Sequence, residues 1–165
     1  MLKYTVAEVG FREIPDEISL NIQISNCPIK CKDCHSKHLW KDIGERLSAG
    51  KLCDLVAENP GISCICFMGG ESNLEELFTL FKFCRLLFKN LKVAWYTGLV
   101  ESEIPEDMPL IDYIKTGPYK KKCGPLDNPD TNQRFYVLGS NLNENVKKDE
   151  YYDKTYLFWK HPDLY

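Results

Sequence analysis

From Ile18 to Ser25 the chain alternates without a break, with Ile18, Leu20, Ile22 and Ile24 on one side and Ser19, Asn21, Gln23 and Ser25 on the other. A strict period of two predicts a β-strand with one apolar face. The strand runs straight into Asn26-Cys27-Pro28-Ile29-Lys30-Cys31-Lys32-Asp33-Cys34-His35, so three cysteines hang from its C-terminal end. Helix signals follow from Leu47 to Glu58 and are stopped by Asn59-Pro60-Gly61. Ile62 to Phe67 is a short apolar run that suits a buried strand. Beyond Met68-Gly69-Gly70-Glu71 a second helix is expected. It has a Ser72/Glu75 capping box and an apolar stripe of Leu74, Leu77, Phe78, Phe81, Cys84 and Phe88. Leu91 to Trp95 and Leu110 to Lys115 predict further strands, ending at Tyr96-Thr97-Gly98 and Thr116-Gly117-Pro118. Strands alternating with helices predict βα units, a parallel sheet and a single α/β domain over residues 1–165. Ligands of such folds gather at the C-terminal ends of the strands. The cysteine loop, Gly69-Gly70-Glu71 and Thr97-Gly98 all fall on that edge.

The spacing Cys-x-x-x-Cys-x-x-Cys offers thiolates for three corners of a cubane [4Fe-4S] cluster. Electron-transfer clusters usually take four cysteines; an iron without a protein ligand is a place for chemistry, like the open position of a catalytic zinc. Zinc sites favour two well-separated pairs, and only Cys31/Cys34 has that form, since Cys64 and Cys66 are too close and lie in an apolar run. The chain opens Met1-Leu2-Lys3-Tyr4 with no apolar h-region, so disulfides are not expected and a reducing cytoplasm fits best. Paired glycines let backbone approach a ligand closely, although Gly69-Gly70-Glu71 also reads as a tight strand-to-helix turn. His35 adjoins Cys34 and reads as a cofactor contact or as loop packing. Cys53, Cys64, Cys66 and Cys84 read as small buried hydrophobes, and Cys123 stands in a polar loop. A net charge of −3 carries no nucleic-acid footprint, and no apolar stretch reaches the length needed to span a bilayer.

Together these residues resemble the activating proteins of anaerobic ribonucleotide reductases, a branch of the radical S-adenosylmethionine (SAM) enzymes. The resemblance runs from about Ile18 to about Arg134. It is carried by Asn26-Cys27-Pro28-x-x-Cys31-Lys32-x-Cys34-His35, Leu39-Trp40-Lys41-Asp42, Phe67-Met68-Gly69-Gly70-Glu71, Tyr96-Thr97-Gly98 and Thr131-Asn132-Gln133-Arg134. It implies a partial (βα) barrel with a mostly parallel sheet. It also implies a [4Fe-4S] cluster on Cys27, Cys31 and Cys34 that binds SAM at its open iron. By the same resemblance Gly69, Gly70 and Glu71 hold the methionine amino end, Asp33, Cys34 and His35 line the adenosine side, and Thr97 belongs to the cofactor site. The implied activity is reductive cleavage of SAM and formation of a glycyl radical on a large reductase subunit, with a one-electron donor such as a flavodoxin. Two other readings stay open. One is a different small radical-SAM enzyme, either another activase or one of the carboxy-deazaguanine-synthase type; the other is a non-catalytic iron–sulfur module. Ser72 stands where many relatives carry proline, and Ser36 replaces a common asparagine. The aromatic tail from Asn141 to Tyr165 reads as a docking element or a final strand on the core.

Overall fold

The computed structural model describes residues 1–143 and 145–159. Eight strands form one sheet: β1 (Lys3–Gly10), β2 (Ser19–Ile24), β3 (Glu45–Arg46), β4 (Cys64–Met68), β5 (Lys92–Tyr96), β6 (Tyr113–Thr116), β7 (Arg134–Leu138) and β8 (Tyr151–Asp153). Their order across the sheet is β3-β1-β2-β4-β5-β6-β7-β8. The two helices are α1 (Ala49–Glu58) and α2 (Leu74–Leu87).

This corrects the expected partial (βα) barrel. The sheet is mixed, with four antiparallel pairings against three parallel ones. The parallel pairings are confined to its centre, β2-β4-β5-β6. Parallel neighbours need a crossover, usually a helix, and only α1 and α2 supply one. Past β6 the connection carries Gly117, Pro118, Gly124, Pro125 and Pro129, too many breakers for a helix, and the chain returns antiparallel as β7. On the other side β1 pairs antiparallel with β2 along its length, through Val6↔Gln23 to Gly10↔Ser19.

Both faces of the sheet are covered. Leu20, Ile22, Ile24, Ile65, Phe67, Val93 and Trp95 pack against Leu52 of α1 and Leu77, Phe78 and Phe81 of α2. On the reverse face Cys64, Cys66, Ala94, Tyr113, Phe135 and Val137 are capped by the fully buried Ile14 and by Leu126 and Phe158. The alternating strand is therefore not half-solvated: Ser19, Asn21 and Ser25 are buried too, with the Ser19 hydroxyl donating to Asn21 Oδ1 at 2.9 Å. Among the described residues no helix is long and apolar enough to cross a membrane.

The expected element ends agree with the structure to within a residue or two, except that the strand expected from Leu110 starts at Tyr113. Ser48 caps α1 by accepting from Lys51 N, and Asn59 ends it. The cap of α2 is Asn73, which accepts from Glu76 N, one residue beyond the expected Ser72/Glu75 box. Asn73 Nδ2 also donates to Glu76 Oε2 at 3.0 Å, while its backbone N–H donates to Gly70 O, so the reciprocal backbone bond of a capping box is not made. The tail contributes a last strand, β8, and the Tyr151 hydroxyl donates to Ile111 O at 2.8 Å. Residues 160–165 of that tail lie outside the described residues.

Candidate iron–sulfur site

The cysteine loop leaves β2 through Asn26 and includes a second left-handed residue, Lys30, at φ values of 61° and 48°. Its base is closed by two backbone bonds, Asn26 N to Lys41 O at 3.0 Å and Cys27 N to Leu39 O at 2.9 Å. Within it Cys34 N donates to Cys31 O at 3.0 Å, and the Cys34 sulfur accepts from Ser36 N at 3.3 Å. Ile29 pins the loop to the end of β5. A Cβ on Gly98 would stand 2.8 Å from two Ile29 side-chain carbons, so the bare glycine is the notch that seats Ile29.

Cys27, Cys31 and Cys34 line one pocket of about 180 Å³ at the C-terminal ends of the parallel strands. Met68, Tyr96 and Lys115 form a row across β4, β5 and β6, in register at Met68↔Tyr96 and Tyr96↔Lys115, and all three line the same pocket. Gly69, Glu71, Thr97, Gly98 and Trp40 complete its walls, with Tyr119 and Gln133 from the later loops.

Glu71 is held from one side. Its Oε1 accepts from the Thr97 hydroxyl at 2.8 Å and from Gly98 N at 3.0 Å. Its Oε2 is buried and has no hydrogen-bond partner. A buried carboxylate oxygen without a donor is costly, and such an exception calls for a group that is not in the chain. Trp40 Nε1 is likewise buried without an acceptor. Burial, and after it the Glu71 carboxylate, push the Cys27 thiol above its ordinary value.

Lys115 is the residue the sequence reading missed. It is 9% exposed, its ammonium donates to Gly117 O at 3.0 Å, and it stands 5.9 Å from the centre of the Tyr96 ring. Burial lowers it to about 8, while Cys31 and Glu71 act to keep it charged. A lysine inside a strand ending at a glycine could have been flagged as an inward-facing charge, had the position of β6 between β5 and β7 been anticipated.

Not every expected contact is brought together. Gly70 faces α2 instead of the pocket: at φ +104°, a Cβ there would meet the Leu77 side chain at 2.9 Å. Gly69, at φ +98°, does line the pocket and its carbonyl accepts from Trp95 Nε1 at 2.9 Å. Asp33 lies outside the pocket, beside the Tyr119–Lys122 loop. The His35 ring packs against Tyr119 at 5.1 Å, behind the wall that Tyr119 forms. Thr97 acts on the pocket by orienting Glu71. Cys64, Cys66 and Cys84 are buried in regular elements and stand apart from the site.

The family model described as a 4Fe-4S single cluster domain matches residues 18–124. The chain belongs to that family. Neither the curated proteins nor the solved structures contain a match. The matched segment of this iron–sulfur domain holds all three loop cysteines, Glu71, Thr97 and Lys115. The site fits the cluster. Three cysteines line one cavity, and thiolates are the donors that iron–sulfur clusters take.

Proposed function

We propose that this iron–sulfur domain is a radical-SAM activase that generates a glycyl radical on an anaerobic ribonucleotide reductase. The observation that carries the reading is one pocket combining three loop thiols with a carboxylate whose Oε2 is buried and unpartnered. In this reading Cys27, Cys31 and Cys34 hold the cluster, which leaves its fourth iron for a ligand with its own donor groups. Glu71 Oε2 accepts from the α-ammonium of SAM. Thr97 and Gly98 N hold the other oxygen, so the carboxylate is aimed before the ligand arrives. A reduced cluster held by these cysteines would supply the one electron that splits SAM into methionine and a 5′-deoxyadenosyl radical, and that radical would take hydrogen from a glycine of the partner.

The other residues of the pocket orient and exclude. Gly69 lets the chain pass beside the ligand, while Met68, Ile29 and Tyr96 keep water from the reacting atoms. The Asn132-Gln133-Arg134 segment braces the far wall: Asn132 Nδ2 donates to Pro118 O at 2.8 Å and Gln133 Nε2 to Gly117 O at 3.1 Å. Those two carbonyls belong to the turn that positions Tyr119.

The test is anaerobic incubation of the reconstituted protein with SAM, a one-electron donor and a candidate reductase. A glycyl-radical doublet on the reductase, seen by electron paramagnetic resonance, is the expected result. SAM cleavage that needs a small-molecule acceptor and leaves no such doublet would assign the chain to another radical-SAM enzyme. Iron uptake without SAM cleavage would make it a non-catalytic module.

A further inference from the structure

We infer that Lys115 is the carboxylate-binding residue of the pocket and that, with Glu71, it makes the site selective for the zwitterionic α-amino-acid end of its ligand. The inference rests on the SAM reading and adds to it a residue and a specificity.

Lys115 lies on the central sheet, between β5 and β7, where a charged side chain is out of place unless something answers it. An ammonium has three donors. Among the described residues one hydrogen-bond acceptor, Gly117 O, takes one of them. That carbonyl also accepts from Gln133 Nε2, so it is shared. Tyr96 offers its ring, a weak partner compared with an anion. The pocket thus presents an ammonium short of acceptors and a carboxylate oxygen short of donors. The two do not satisfy each other: Glu71 Oε2 has no partner. A ligand group that carries an ammonium and a carboxylate on one carbon matches both deficits at once. A ligand with only one of these groups leaves the other pole buried and unpaired, which penalises it.

The probes are SAM and its decarboxylated analogue, which keeps the sulfonium, the amine and the adenosine. Binding to cluster-reconstituted protein is measured by anaerobic equilibrium dialysis, with iron content as the control for an intact site. The wild-type protein is expected to bind SAM about tenfold to a hundredfold more tightly than the analogue, the range of a charge-assisted hydrogen bond. Lys115→Met, which keeps the length of the side chain, and Lys115→Gln should each narrow that discrimination by about tenfold. Affinity for SAM falls, while affinity for the analogue changes less than about threefold. Whichever variant retains wild-type iron decides. Equal binding of the two ligands by the wild-type protein overturns the assignment, as does a variant that weakens both ligands equally with iron retained. If the iron-loaded wild-type protein binds neither ligand, the SAM reading itself fails, and this proposal falls with it.

Discussion

Two sets of cysteines share this chain and share almost nothing else. Cys27, Cys31 and Cys34 are half-buried on an irregular loop and line a pocket with a carboxylate and an ammonium. Cys64, Cys66 and Cys84 sit fully buried in β4 and α2 among apolar neighbours. Burial above all, with smaller help from neighbouring acidic groups, drives the second set upward, Cys84 to about 12, so these thiols keep their protons and behave as small hydrophobes. The first set stands where a metal can replace the proton. What separates the candidate ligands from the packing residues here is the element that carries them.

The sharpest way to break this contrast is iron uptake. Cys31→Ala should reduce anaerobic reconstitution from about four irons per chain to almost none. Cys66→Ala should leave the iron content unchanged; an equal loss in both variants would erase the distinction.

A smaller effect is expected one step away from the thiols. Glu71→Gln keeps an acceptor for Thr97 and Gly98 N but puts an amide where the unpartnered oxygen stands. Iron should be retained while SAM binding, read by equilibrium dialysis, weakens about tenfold to a hundredfold. Wild-type affinity would show that Glu71 only fastens the turn to β5.

The smallest effect concerns the buried set. A thiol raised by the fold keeps its proton in the native state above pH 9 and loses it in the unfolded state. Stability should therefore fall with rising pH across the window from 9 to about 12. Cys84→Ala removes that contribution, so its denaturation midpoint should decline less steeply than the wild type's over the same range. Parallel declines would mean that buried tyrosines such as Tyr151, also raised to about 12, account for the whole slope.

Much of the site could be read from the residues because it is local. The cysteine spacing, the alternation of Ile18 to Ser25 and the breakers after α1 are all short-range signals. The cysteine loop, Gly69-Gly70-Glu71 and Thr97-Gly98 are expected on one edge, and the parallel centre of the sheet puts them there. The architecture was not legible, because it depends on partners far along the chain. No element is predicted over β1 or β7 from the sequence, and pairing with β2 and β6 makes them strands. Lys115 was passed over for the same reason. Its burial is created by Tyr96 on one side and Phe135 on the other, a neighbourhood that no window around residue 115 contains. Gly70 failed in the opposite direction: its glycine signal is real, but the constraint comes from Leu77 instead of a ligand.

The closed base of the cysteine loop has a consequence for how a cofactor could be lost and regained. Zinc fingers lie unfolded until their metal arrives, so binding must bear the whole entropy of ordering the chain. Here the bonds from Asn26 and Cys27 to Lys41 and Leu39 join the two ends of the excursion, and Ile29 in its notch fixes the middle. These bonds belong to the polypeptide, so loop closure does not rest on the cluster alone. Oxidative loss of a cluster should then cost the loop one of its ties and leave the others in place.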